Sequence, residues 1–334
     1  MKTELLIGSY AARDAAGVHG VIFDSENGFV ERAAGKGWAN PSYVLPHPNG
    51  KRFYAVEENA EGGVCAGDAG LRRQEAFATG GASPCHLALS EDARWLYAAN
   101  YMSGSVAVFA LDADGAILRR TDLVAHAGHG PNPARQEGPH AHFCMAAGRE
   151  VFVCDLGIDA IVIYRNDDGR LRETGRVAMP PGSGPRHLAR DPKRPGRMYC
   201  VAEMGNRVFA LEDGAAGWRI IQSASTLPED FSGESTAAAI RVTPDGACVL
   251  ASNRGHDSIA AFPVGDDGRL GAPVVSPVAA QPRDFILCGD FVIAASQRDD
   301  VVRAYQLDRN TLRLTDAGMA LSLECPVCLA EWKQ

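Results

Sequence analysis

The sequence predicts an all-β fold, a closed seven-bladed β-propeller forming one domain over residues 1–334. Three observations predict it. A unit of about 45 residues recurs along the chain, each copy reads as three or four short strands set off by turn signals, and no stretch carries the 3.6-residue period of a long amphipathic helix.

The copies run in order as NPSYVLPHPNGKRFYAVEEN, SPCHLALSEDARWLYAANY, GPHAHFCMAAGREVFVCDLG, GPRHLARDPKRPGRMYCVAE, STAAAIRVTPDGACVLASNRG and QPRDFILCGDFVIAASQRD, followed by a truncated CPVCLAEW. A leading proline stands at 41, 84, 139, 185, 282 and 326, with Ala237 in its place in the fifth copy, so the steps are 43, 55, 46, 52, 45 and 44 residues. Within a unit an apolar strand leads to a turn such as HPNG or TPDG, and a second strand ends in a polar corner. A third strand such as SVAVFALD or AIVIYRND then ends in DADG or NDDG, residue types that make tight hairpins. The seventh copy has only its first strand. ELLIGSY and GVHGVIFD, near the N-terminus, are expected to complete it, closing the ring between the chain ends and leaving no open sheet edge.

At 46% hydrophobic and 22% charged residues the chain can bury a sizeable core. Its formal net charge of -8 argues against nucleic acid or anionic membrane as partners, since both demand a basic field, and leaves a small molecule as the expected partner. No apolar window of about 18 residues and no secretory leader pattern occurs, so a cytoplasmic location is expected. The nine cysteines, mostly inside apolar runs such as VFVCDLG, read as reduced, buried thiols.

The first strand of each propeller blade lines the central channel, so equivalent residues far apart in sequence meet there. Two residues after the leading proline stand Tyr43, His86, His187, Asp284 and Cys328, and His142 joins them if its blade has one extra residue. Directly after the proline stand His140, Arg186 and Arg283. A second polar ring marks the ends of the second strands: Glu57, Asn100, Asp155, Glu203, Asn253 and Ser296, flanked by Arg254 and Gln297. Turn chemistry accounts for Asn100 and Asp155. It does not account for Glu203 or Arg254, nor for Arg186 at the opening of an inner strand, where a buried guanidinium requires an anionic partner. The candidate catalytic residues are therefore His140, His142, Arg186, Glu203 and Arg254, with His86, Asn100, Asp155, His187, Asn253 and Gln297 as candidate substrate contacts.

Other motifs carry less. CPVC at 325–328 has no second cysteine pair, and on a strand its two sulfurs face opposite ways. HAGHGPNPARQEGPHAH offers His126, His129, His140 and His142, but the first two sit in the Gly/Pro-rich insertion behind the 55-residue step and no carboxylate completes a familiar ligand spacing. GSGPRH lacks a nucleophile elbow, and EGGVCAGDAG lacks the Gly-Lys-Ser/Thr of a phosphate loop. No metal and no cofactor is expected.

The run from GPHAHF to VFVCDLGID, followed by GPRHLA, VAEMGN and RVTPDGACVLASNRGHDSIAAF, resembles the lactonase family of seven-bladed propellers, which includes the propeller-type 6-phosphogluconolactonases and the fungal carboxymuconate cyclases. DLGID and SNRGHDSI are its most specific pieces. The resemblance implies an active site at the channel mouth, with His140 or His142 from Pro-His-x-His, Arg186 from Gly-Pro-Arg-His, Glu203 at the end of that blade's second strand and Arg254 from Ser-Asn-Arg-Gly. One departure stands out. The family usually has Ala-Glu-Ile or Ala-Asp-Ile in the fifth blade, where this chain has Ala238, Ala239 and Ile240.

The expected function is hydrolysis of a sugar-acid lactone, 6-phosphogluconolactone or a related aldonic, uronic or aldaric lactone. A histidine near neutrality can accept the proton of an attacking water, and arginines can hold the carbonyl oxyanion or a substrate anion. Two other readings stand beside it: a lactonizing cycloisomerase acting on an unsaturated diacid, and a non-catalytic binding platform, whose sign would be an apolar patch on one rim.

Overall fold

The computed structural model describes residues 1–333, which form 28 strands in seven four-stranded sheets, with no helix among the described residues. Blades one to six follow chain order, their innermost strands being Val44–Pro46, Pro84–Leu89, Ala141–Ala147, Pro185–Arg190, Thr236–Val242 and Pro282–Cys288. Blade seven takes its innermost strand, Pro326–Glu331, from the end of the chain and the other three, Lys2–Ser9, Val18–Asp24 and Gly28–Gly35, from its beginning. The expected closure is present, with one more N-terminal strand than the sequence pattern supplies.

Hairpin chemistry explains how strands follow one another. In blade three, Asp167 pairs with Arg170, and the two residues between them, Asp168 and Gly169, have φ of 50° and 83°. Both central residues are left-handed, as a type I′ turn requires, and its twist matches that of the flanking strands. The core lies between the blades. Phe143, Cys154, Leu188, Cys200 and Phe209, for example, pack blade three against blade four, and similar apolar layers follow around the ring.

The closing strand carries Leu5, Leu6 and Ile7, all essentially inaccessible, between Val18–Asp24 on one side and Pro326–Glu331 on the other. Each such side chain contributes roughly 1.5–3 kcal/mol by burial. Deleting residues 1–10 is therefore expected to lower the thermal midpoint by more than about 10 °C, because it strips these contacts and opens two sheet edges at once. An unchanged midpoint in calorimetry would show that the ring does not depend on this closure.

The start of each inner strand positions the site. Asn40, Ser83, Gln281 and Cys325, each directly before a leading proline, have φ between 45° and 53°, and Gly184 before Pro185 has φ of 64°. Left-handed backbone before proline departs from the extended conformation such a residue prefers. The chain thus enters each inner strand through a sharp bend. A β-bulge then follows: pairing skips Cys85 in blade two, His142 in blade three, Arg186 in blade four, Arg283 in blade six and Val327 in blade seven. In blade five the skip covers Ala238 and Ala239. A bulge leaves one residue out of the ladder and re-aims its side chain, and the five single bulged residues line one mouth of the channel.

This register corrects one alignment. Ala141, not Pro139, stands where the other blades have their proline, so His142 is the equivalent of Arg186 and Arg283, and Phe143 takes the place of His86 and His187.

Candidate active site

At that mouth a small cavity is walled by Ser42, Cys85, His142, Arg186, Arg283 and Val327. Five of these are the bulged residues, and Ser42 follows the leading Pro41 of blade one. One layer deeper, Tyr43, His86, Phe143 and His187 fill the channel, with ring centroids 4.1 Å apart for Tyr43–His86 and His86–Phe143 and 5.0 Å for Phe143–His187. This aromatic plug separates the cavity from the opposite mouth, where Met145, Leu188 and Ile240 give an apolar lining.

A second set of residues reaches the mouth from the ends of the second strands or one place beyond them. Strand register identifies them as Tyr10, Glu58, Tyr101, Glu203, Arg254 and Gln297, each one place past the residue that faces the inner strand's start. The residues one place earlier behave differently. Asn100 and Asn253 bond the hydroxyls of Ser105 and Ser258 across their turns, and Ser296 bonds the Ala279 carbonyl. Glu57 pairs with Arg73. Asp155 accepts the backbone N–H groups of His140, Gly157 and Ile158 and binds the ring of the buried His126. These corner residues hold the fold around the mouth, and Asn100, Asp155 and Asn253 are not on the cavity wall.

Arg186, Glu203 and Arg254 converge. Arg186 Nε donates to Glu203 Oε2 at 2.9 Å, and Arg254 Nη2 lies 2.9 Å from the same oxygen. The Arg186 side chain is only 3% exposed, so its charge requires this partner. Its Nη1 also donates to the Ala238 carbonyl at 2.8 Å and to His187 Nε2 at 3.1 Å. Arg254 Nη2 donates to the Ala237 carbonyl at 3.4 Å. Backbone carbonyls of blade five thus receive arginine N–H groups beside Ala239, whose buried methyl side chain offers none.

Burial opposes the Glu203 charge, but Arg254 and Arg186 outweigh it and hold the carboxyl well below its usual range. Arg186 itself, chiefly through burial and then through neighbouring Arg254, is brought down to about 10. Burial, and next the Arg186 charge, also push His142 and His187 well below the ordinary imidazole value. Both rings are therefore neutral at pH 7, and each has an Nδ1 with no hydrogen-bond partner. His86 is likewise neutral, mainly by burial, and receives the Cys144 backbone N–H on Nδ1.

The two candidate histidines of blade three are placed differently. His142 faces the cavity. His140 stacks on Tyr101 at 4.5 Å, and its ring nitrogens meet the Tyr101 carbonyl at 3.0 Å and Glu137 at 3.2 Å. Gln297 sits past the end of its strand, half-buried, outside the cavity wall.

Further residues at or beside the mouth lie outside the candidate set drawn from the sequence. Arg135, in the Gly/Pro-rich insertion, donates to Glu203 Oε1 at 2.7 Å and to the Tyr101 hydroxyl at 3.3 Å, with its side chain 40% exposed. Buried Gln136 pins that insertion by donating to the Leu156 carbonyl and accepting the Asn132 N–H. Across the cavity, Arg283 Nη2 donates to the Tyr10 hydroxyl at 2.8 Å, Tyr10 donates to Glu58 Oε2 at 2.9 Å, and Ser42 donates to the same oxygen. The missing signal is the bulge, which shifts the mouth-facing residue by one place along the inner strand pair in blades two, three, four, six and seven. Among the described residues no group of three or more His, Cys, Asp or Glu side chains converges as a metal site.

Residues 4–331 match the family model for the lactonase, seven-bladed β-propeller. The chain belongs to the lactonase family of seven-bladed propellers. Within this lactonase family it is 35% identical to the 6-phosphogluconolactonase of Bacillus subtilis (strain 168), over 97% of this chain and 96% of the relative. Its fold matches the solved periplasmic gluconolactonase of Pseudomonas aeruginosa with a TM-score of 0.91 at 26% identity, covering 100% of this chain and 99% of that one. A Lactobacillus plantarum protein gives 0.91 at 28% identity with full coverage of both chains. The chain is thus a lactonase-type enzyme, and the platform reading gives way to catalysis.

Proposed function

We propose that this lactonase-family protein opens the ring of a phosphorylated sugar lactone, with 6-phosphogluconolactone as the substrate. The observation that carries the proposal is charge. Arg135, Arg186, Arg254 and Arg283 gather at the mouth of an acidic protein, where Glu58 and Glu203 balance them in part and the third carboxylate, Asp284, is matched by Arg241. A neutral lactone has no use for that surplus. A phosphate ester carries about -1.5 to -2 charge at pH 7 and takes up guanidinium N–H groups in pairs. The B. subtilis relative, named for a phosphorylated lactone, supports the same choice.

In this reading Arg186 and Arg254 stabilise the negative charge that develops on the carbonyl oxygen, while the more exposed Arg135 meets the phosphate at the rim. His142, neutral and facing the cavity, carries the proton that the departing ring oxygen requires. Nine unpaired cysteines, eight of them buried, support placing the protein in a reducing compartment such as the cytoplasm.

The test follows indicator-monitored pH change beyond the spontaneous rate: acid release with 6-phosphogluconolactone or gluconolactone, and proton uptake with an unsaturated diacid, whose carboxylate adds to the double bond as the neighbouring carbon is protonated. The phosphorylated lactone is expected to give a kcat/KM at least about 10²-fold above that of gluconolactone. Arg186→Lys, which keeps the charge but loses the planar fork, is expected to reduce that value about 10²-fold. Equal or greater kcat/KM on gluconolactone would overturn the phosphate assignment, and turnover of the diacid alone would favour the cycloisomerase.

A further inference from the structure

Three carboxylates border the channel mouth, and their partners differ in kind. Both oxygens of Glu203 are taken by guanidinium groups, Oε1 by Arg135 and Oε2 by Arg186 and Arg254. Asp284 is similarly committed, with Oδ1 held by Arg241 at 2.7 Å and Oδ2 accepting the Leu329 backbone N–H at 2.9 Å. Glu58 alone has no arginine against it. Its Oε2 accepts the hydroxyls of Tyr10 and Ser42, and Arg283, close enough to feel its charge, makes no hydrogen bond to it and reaches it through the Tyr10 hydroxyl.

From this contrast we propose that Glu58 is the general base that activates the hydrolytic water, a role that rests on the lactone-hydrolase reading above. A carboxylate saturated by charged donors resists protonation, because taking up a proton would break two or three charge-assisted bonds. Hydroxyl partners impose a smaller penalty and can reorient as the carboxylate gains a proton. Geometry agrees. Glu58 shares the cavity wall with His142, Arg186 and Arg283, and the free space enclosed there is about 20 Å³, enough to seat about one water molecule.

The proposed step balances as follows. Glu58 takes a proton from water while the water oxygen bonds to the lactone carbonyl carbon, and the carbonyl π electrons move onto its oxygen beside Arg186. The oxyanion then re-forms the carbonyl, the bond from that carbon to the ring oxygen breaks, and the proton held by Glu58 passes through His142 to the ring oxygen, which leaves as a hydroxyl. The product carboxylic acid ionises to solvent, and Glu58 is restored. Tyr10, Ser42 and Arg283 are positioning residues. Tyr10 and Ser42 hold one carboxylate oxygen, Oε2, and leave the other without a hydroxyl partner.

Glu58 also occupies a telling place in the repeat. It stands in blade one where Glu203 stands in blade four, one residue past the strand end. The ring thus supplies two equivalent carboxylates, one locked among arginines and one held by hydroxyls.

The deciding experiment compares wild type, Glu58→Gln and Glu58→Ala on 6-phosphogluconolactone and gluconolactone, with binding of 6-phosphogluconate measured separately. Glu58→Gln keeps shape and can still accept the Tyr10 and Ser42 hydrogens. It is expected to lose about 10²–10⁴-fold in kcat with product affinity within about threefold of wild type. In Glu58→Ala, added formate, a small external carboxylate, is expected to restore part of the turnover, which a merely structural role would not allow. If Glu58→Gln does not fold, Glu58→Asp reads the same quantity, since it keeps the charge but withdraws the carboxylate by one methylene. An active wild type with Glu58→Gln within threefold of its kcat overturns the proposal and leaves the lactonase reading intact. So does loss of product binding without formate rescue. A wild type inactive on both lactones overturns the hydrolase reading and this role with it.

Discussion

His142→Ala is expected to lower turnover about 10²–10⁴-fold, the range typical of removing a general acid–base group. His140→Ala is expected to change it only a few-fold, measured in the same acidification assay. The contrast follows from placement. His142 is the bulged residue of its inner strand and faces the cavity with an unpartnered Nδ1, whereas both ring nitrogens of His140 are engaged and its ring is stacked on Tyr101. The pH profile gives a second readout. Burial and Arg186 hold His142 well below the usual 6.5, so the neutral form it needs to accept a proton persists through neutrality. Its contribution is lost only as pH falls through that depressed value, so no loss attributable to His142 is expected between pH 8 and 6.5. Full turnover in His142→Ala would remove the imidazole from the reaction.

The propeller was legible in the sequence because its signal is repeated. Strand ends marked by HPNG, NDDG and TPDG recur at a nearly constant step, and the one-strand seventh copy forces closure by the N-terminus. Arg186, Glu203 and Arg254 were legible for a different reason: each is a charged residue at a position where burial without a partner would be costly, so each implies the others. Their ion pairs at 2.9 Å are the physical answer to that cost.

What escaped the sequence depends on one-residue register. Periodicity places Glu57 and Asn100 at strand ends, but the next residue, Glu58 or Tyr101, is the one at the mouth, and in blade two a bulge at Cys85 goes with that offset. A slip of one residue reverses which face a side chain occupies, so it exchanges residues that bond within their own corner for residues that face the mouth. Arg135 was hidden by its setting. It lies in a Gly/Pro-rich insertion with no repeat equivalent, which tertiary hydrogen bonds such as those of Gln136 to Leu156 and Asn132 hold over Glu203.

Glu203→Gln is expected to destabilise the protein by about 3 kcal/mol near neutral pH, because it leaves the guanidinium groups of Arg186 and Arg254 close together with no counter-charge. Arg135, more exposed, can turn toward solvent, so most of the cost falls on the two buried arginines. Added inorganic phosphate should recover part of the loss by supplying the missing charge, a rescue visible as a larger shift in thermal midpoint than wild type shows. The acid response separates the contributions. His86, His142 and His187 are held neutral in the folded state, so acidification below about 6.5 protonates the unfolded chain first and lowers stability in both proteins. Glu203 has a folded value well below its unfolded 4.5, so the stability it gives wild type is fully present above 4.5 and lost as pH falls through the lower value. Denaturant titrations between pH 8 and 3 should therefore show wild type losing stability in two stages and Glu203→Gln showing a smaller second stage, since other carboxylates with lowered values, such as Asp92 and Asp245, still contribute to it. A variant as stable as wild type at pH 7, with an identical acid response, would mean that the arginine cluster does not require this carboxylate.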